Sequence, residues 1–220
     1  MIDVMTDVMI DGIIHGMIDR MIDDWEMIDM RLFIGINFSE TTRTALATLQ
    51  DDLRTQSSGG NFTLPENLHL TLAFLGNCND ADRKAAQAAI DAVDFDPFDI
   101  EINHIGRFKH TGGRPRIRDG SSIWWAGLAE CKPLIALHNN LTKHLITAGF
   151  TLETRKYNPH ITLARQVVIT NPTKQPHTFD PPTPITETIT SIDLIQSTRV
   201  GGKLTYTPIY TKEALKLRKS

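Results

Sequence analysis

A seven-residue pattern occurs twice in this chain. Asn67-Leu68-His69-Leu70-Thr71-Leu72-Ala73 returns as Asn158-Pro159-His160-Ile161-Thr162-Leu163-Ala164. In each copy His and Thr alternate with aliphatic residues. That is the period of a β-strand, which turns the two polar side chains to one face and the aliphatics to the other. Each copy follows a strand and a helical stretch, so the chain reads as two related halves whose His/Thr faces meet.

The rest of the pattern supports an α+β architecture rather than a doubly wound parallel sheet. Leu32, Ile34 and Ile36 alternate with Phe33 and Asn37 and predict a first strand over Arg31–Phe38. A helix is expected from Ser39 or Glu40 to about Arg54, with Leu46, Leu49 and Leu53 on one face. Thr55 to Asn61 reads as a loop. Further strands are expected at 68–75, 98–108, 123–128, 160–168, 188–196 and 204–210. Helices are expected from Asp80 or Asp82 to near Val93, and from Pro133 to His144 or Ala148 with Gly149 as terminator. Residues 106–122, which hold Arg107, Lys109, Arg114, Arg116 and Arg118, and the proline-rich residues 171–184 read as surface loops.

Composition adds limits. With 40% hydrophobic and 22% charged residues the chain is globular, and it has no apolar run of about eighteen residues for a membrane span. Two cysteines, Cys78 and Cys131, rule out a disulfide scaffold and fit a reducing cytoplasm. All seven methionines fall within the first thirty residues, where a Met-Ile-Asp unit recurs and the charge is −7. The whole chain carries −3, so residues 31–220 carry +4, a balance suited to a phosphate-bearing ligand. Residues 1–29 are read as a repeat-like leader, disordered or a start-site artefact, and residues 30–220 as one bilobal domain.

Two imidazoles and two hydroxyls facing one cleft define a chemistry. One His can accept a proton while the other donates one, as attack of water on a phosphodiester requires. Hydroxyls of Thr71 and Thr162 can hydrogen-bond the non-bridging oxygens. No cofactor is needed for this, and Thr is a poor zinc ligand. Trp124 and Trp125 are adjacent on a strand and must face opposite ways, one into the core and the other free to stack a base. His104, His110 and His177 are expected in or beside loops.

These residues resemble the 2H phosphoesterase superfamily, and within it the RNA 2′,3′-cyclic phosphodiesterase family, formerly called 2′-5′ RNA ligases. The resemblance rests on Arg31-Leu32-Phe33-Ile34, on Asn67 to Gly76, and on Pro159-His160-Ile161-Thr162-Leu163-Ala164-Arg165. Ser197, Gly202 and Tyr206-Thr207-Pro208 share it. It implies two pseudo-symmetric α+β lobes with antiparallel sheets lining a central cleft and helices outside. It implies metal-free hydrolysis of an RNA terminal cyclic phosphate to a 2′-phosphate by a monomer. Some family members also join tRNA halves through a 2′-5′ bond. By the same resemblance His160 would be the general base, His69 the acid, Thr71 and Thr162 phosphate ligands, and Arg165 a source of charge stabilisation. Strict alternation, however, would turn Arg165 away from the His/Thr face. The longer basic segment between Pro115-Arg116 and Trp124 departs from the family pattern and is expected to contact RNA phosphates. The alternatives are a phosphodiesterase of another small cyclic phosphate or of 2′-5′ oligoadenylate, and an RNA- or nucleotide-binding module.

Overall fold

The computed structural model describes residues 30–109, 121–171 and 175–215. The Met-Ile-Asp leader and the basic residues Arg114, Arg116 and Arg118 lie outside them.

Among the described residues nine strands and three α-helices follow one another as β1 (Met30–Asn37), α1 (Glu40–Thr55), β2 (Ser57–Phe62), β3 (His69–Cys78), α2 (Asp80–Asp91) and β4 (Phe98–Lys109). Then come β5 (Ser122–Leu128), α3 (Lys132–Thr147), β6 (His160–Ile169), β7 (Ile185–Ile189), β8 (Ser191–Val200) and β9 (Lys203–Glu213). The strands join in the order β7-β4-β5-β6-β3-β1-β8-β9, with β2 on the free edge of β6. Every pairing is antiparallel. The sheet is two four-stranded halves, β3-β1-β8-β9 and β6-β5-β4-β7, that meet where Leu70 pairs with Ile161. A pseudo-twofold axis at that pair exchanges β3 with β6 and β1 with β5.

One face of the sheet is covered by helices and makes the core. Leu32, Ile34 and Ile36 of β1 point there, together with Leu70, Leu72, Ile161, Leu163 and the fully buried Trp124. From α1 come Leu46, Leu49 and Leu53, the expected face. Ser39 caps α1 through its hydroxyl, which accepts from the Thr42 amide at 3.3 Å. Glu187 of β7 reaches across from the other half, accepting from the Ser39 amide at 2.8 Å and the Ser39 hydroxyl at 2.7 Å. A carboxylate at a helix N-terminus is favoured by the unpaired amides there. Gly149 ends α3 at φ +97°, a conformation that suits glycine.

Three expectations are corrected. Ser57–Phe62 is a strand where a loop was expected. Beyond Ile161 β6 parts from β3, and this edge takes up the Ser-Ser-Gly-Gly-Asn segment in spite of its poor strand propensity. Gly60 permits the approach, since a Cβ there would lie 2.8 Å from Val167 Cγ2. The single strand expected at 188–196 is two, because the chain leaves its partner β4 at Ile189 and joins β1 in the other half from β8. The proline-rich stretch is not only surface: Phe179 is buried and meets Trp124 edge-on at 5.3 Å.

Candidate active site

The face opposite the helices carries the repeated polar residues. With Leu70 paired to Ile161, the antiparallel register sets His69 across from Thr162 and Thr71 across from His160. All four side chains then project to one side.

Past each Thr the strand carries one extra residue. Gly35 pairs with Thr71 but Ile34 with Ala73, leaving Leu72 unpaired. Likewise Trp125 pairs with Thr162 but Trp124 with Ala164, leaving Leu163 unpaired. Each bulge lets two successive residues face the core and reverses the alternation beyond them. Leu72 and Ala73 are both buried, as are Leu163 and Ala164. The next residue in each copy, Phe74 or Arg165, therefore returns to the His/Thr face. This corrects the placement expected from strict alternation. The guanidinium of Arg165 acts on His69 and on Tyr206 electrostatically.

Carbonyls freed by the bulges are bound from the opposite half. The Tyr157 hydroxyl, in the segment leading into β6, donates to the Thr71 carbonyl at 3.0 Å. The Thr63 hydroxyl, in the segment leading into β3, donates to the Thr162 carbonyl at 2.8 Å. The Leu163 carbonyl accepts from the Thr63 amide at 2.9 Å and from the buried Gln50 amide of α1 at 2.7 Å. Burial pushes the Tyr157 phenol far up, so it stays a donor. Its ring stacks on His138 of α3 with centroids 3.8 Å apart. Gln50, Thr63 and Tyr157 carry no signal in the sequence, because their partners are backbone atoms about a hundred residues away.

Both imidazoles are anchored alike. Nδ1 of His69 lies 2.7 Å from the Asn67 carbonyl, and Nδ1 of His160 lies 2.8 Å from the Asn158 carbonyl. A carbonyl only accepts, so Nδ1 carries the proton and Nε2 of each neutral ring keeps its lone pair on the cleft side. His69 Nε2 is 3.0 Å from the Thr71 hydroxyl, which donates to it. Asn67 is itself fixed, giving an amide hydrogen to the Leu204 carbonyl at 2.7 Å and accepting from the Tyr206 amide at 3.1 Å.

Aromatic rings wall the cleft on both sides. Phe33 and Tyr206 lie 4.8 and 5.1 Å from the His69 ring, while Phe108 and Trp125 lie 5.3 and 6.0 Å from that of His160. The tryptophans divide as expected, Trp124 into the core and Trp125 onto the cleft face. His104 was expected in or beside a loop. It sits instead in β4, edge-on to Trp125 at 5.6 Å. Among the described residues no group of three or more His, Cys, Asp or Glu could hold a metal ion. No helix among them is long and apolar enough to cross a membrane.

Burial holds the pKa of His69 below the usual histidine value. The hydrogen bond to the Asn67 carbonyl opposes this, and the positive charges of Arg165 and His160 add to it. Arg165→Gln removes a cation that disfavours imidazolium, so it is expected to raise the pKa of His69. An NMR titration of the imidazole would measure this, and an unchanged or lower value would mean that Arg165 does not face His69.

This fold is that of solved phosphoesterases. Escherichia coli LigT in complex with 3′-AMP matches with a TM-score of 0.71 at 24% identity, over 86% of this chain and 99% of that one. A Thermus thermophilus protein matches with a TM-score of 0.65 at 25% identity, over 84% and 97%. The α+β two-lobe fold is thus the one these structures share. The family described as LigT-like phosphoesterases matches residues 36–118 and 127–203, and the chain belongs to this family. Two of its curated relatives are named RNA 2′,3′-cyclic phosphodiesterase. That of Archaeoglobus fulgidus is 29% identical over 62% of this chain and 72% of its own length, and that of Methanothermobacter thermautotrophicus is 30% identical over 62% and 71%.

Proposed function

We propose that this phosphoesterase hydrolyses the 2′,3′-cyclic phosphate at an RNA end to a 2′-phosphate, using His69 and His160 as an acid–base pair and no metal. The carrying observation is the matched pair of imidazoles, each with Nδ1 held by a carbonyl two residues earlier and Nε2 turned to the shared face. The catalytic unit in this reading is the single domain 30–220, since each half binds the carbonyls freed in the other.

Water attacks phosphorus opposite the 3′-oxygen. One neutral imidazole takes the water proton at Nε2, and the other, as imidazolium, gives its Nε2 proton to the departing 3′-oxygen as the P–O3′ bond breaks. The products are a 2′-phosphate and a free 3′-hydroxyl. Family resemblance makes His160 the base and His69 the acid. Burial and Arg165 make His69 resist charging, and it becomes an acid when a phosphate anion lies beside it and offsets them. Thr71 and Thr162 donate to the non-bridging oxygens, the Thr71 hydroxyl leaving His69 Nε2 to do so. Arg165 stabilises the added negative charge. Phe108 and Trp125 offer a base a stacking surface. With an RNA 5′-hydroxyl attacking in place of water, the same pair in the same roles joins the cyclic phosphate to an alcohol, which is the 2′-5′ ligation some family members perform, and the roles exchange when that bond is cleaved back to the cyclic phosphate.

The test is turnover of a short RNA ending in cyclic phosphate, in excess EDTA, with the product identified by phosphorus NMR. A 2′-phosphate is expected. A 3′-phosphate, or rates that vanish with EDTA and return with metal, would overturn the mechanism.

A further inference from the structure

Arg31, two residues before Phe33 on β1, shares the face on which Phe33 meets His69. Leu32 pairs with Gln196 of β8, and Ser197 pairs with Tyr206 of β9. Extending the first register by one residue sets Arg31 beside Ser197. A guanidinium, a hydroxyl and a phenol therefore form a row across three neighbouring strands, and the Tyr206 ring at its end stands edge-on to His69. None of the three side chains has a hydrogen-bond or salt-bridge partner among the described residues. Elsewhere the exposed Arg54, Lys84 and Arg155 and the half-buried Arg83 do meet a carboxylate.

We propose that Arg31, Ser197 and Tyr206 form a second anion subsite, which holds the phosphodiester one nucleotide upstream of the cyclic phosphate. The inference rests on the phosphodiesterase reading above and deepens it: the cleft is built for an oligonucleotide end rather than for a free cyclic mononucleotide. The row offers donors and no charged acceptor, the complement of a phosphodiester. It adjoins His69 on the side away from Phe108 and Trp125, so an RNA with its cyclic phosphate between the histidines has its next phosphate within reach. Burial raises the Tyr206 phenol above its ordinary pKa in spite of the opposing charges of Arg165 and Arg31, which keeps it a donor. Ser197 and Arg31 are short of partners for the same reason that Arg165 is: their partner is the ligand.

Three substrates test the subsite. One is adenosine 2′,3′-cyclic phosphate, and the other two are dinucleotides ending in cyclic phosphate, with either a phosphodiester or a neutral methylphosphonate linkage. Wild type is expected to favour the charged dinucleotide over the neutral one by about tenfold or more in kcat/KM, the scale of a charge-assisted hydrogen bond. In Arg31→Gln that ratio should fall to about two or less, and Ser197→Ala should lower it in part. The salt dependence of the charged dinucleotide should become shallower by about 0.7 in the log–log slope in Arg31→Gln, as for one lost contact to single-stranded nucleic acid. A ratio near one in wild type, or a ratio unchanged by Arg31→Gln, would overturn the subsite and leave the phosphodiesterase reading standing. No turnover of any of the three by wild type would overturn both.

Discussion

Alanine in place of His69 or His160 is expected to lower kcat/KM on an RNA cyclic-phosphate end by about a thousandfold or more, while the double variant loses little beyond either single one. A positioned acid or base contributes on the order of a hundredfold to ten-thousandfold. The two act in one transition state, because the water proton and the leaving-oxygen proton move as phosphorus changes partners. With either lost, the other has little left to assist, and the effects are not additive. Glutamine at either site is the informative control. Its amide can still reach into the cleft and hydrogen-bond a phosphate, but it cannot exchange a proton near neutral pH. Comparable losses with glutamine and alanine would assign the effect to proton transfer, and unfolding temperatures near that of wild type would separate it from loss of structure. If His69→Gln kept more than about a tenth of the activity, His69 would be a ligand for the phosphate and the acid–base pair would have to be sought elsewhere.

The two histidines were legible because a strand has a period of two and the pattern occurs twice. One copy could have been a satisfied core histidine. Two copies with Thr at the same offset placed four polar groups on one face, and the pairing of Leu70 with Ile161 brings those faces together. The same reasoning failed three residues later. Alternation turned Arg165 away, whereas the unpaired Leu163 turns it back, and nothing in Thr-Leu-Ala-Arg announces a bulge. Bulges, like the strand at Ser57–Phe62, are decided by where the neighbouring chain runs. The bulge at Leu163 is held by Thr63 and Gln50, and that at Leu72 is relieved by Tyr157. These are long-range partners of backbone atoms, for which side-chain periodicity carries no mark. Phe33 and Tyr206 stood in plain view among the residues that suggested the family, but their place against His69 follows from the curl of the sheet. The helix faces and their ends, by contrast, were legible from Leu46, Leu49, Leu53 and Gly149, because they depend on local chemistry.

The second large effect is expected at a residue that touches no substrate. Gly106 of β4 pairs with Trp125 of β5, and the indole lies across the glycine backbone. A Cβ at position 106 would stand 2.1 Å from Trp125 Cζ2 and 2.2 Å from Cη2, well inside any van der Waals contact. Gly106→Ala must therefore expel the ring or shift the strand. Overpacking of this kind costs about 1–3 kcal/mol, a fall of roughly 2–10 °C in Tm for a chain of this size. Trp125 also carries the wall beside His160, so kcat/KM is expected to drop with stability. The pseudo-twofold gives an internal comparison. At the place of Trp125 the other half has Gly35, paired with Thr71 as Trp125 is with Thr162, and there the space above the strand is taken by Phe33 and Ile195. Each half thus fills one position with a large ring and leaves its neighbour bare, but on different strands, which makes the two walls of the cleft unlike. A double variant, Gly106→Ala with Trp125→Leu, separates the two consequences. If the clash is the cause, the smaller side chain restores much of the lost Tm. If the indole itself serves the site, activity does not return with stability. A Gly106→Ala protein as stable and as active as wild type would mean that Trp125 does not rest on the glycine, and the His160 wall would have to be drawn differently.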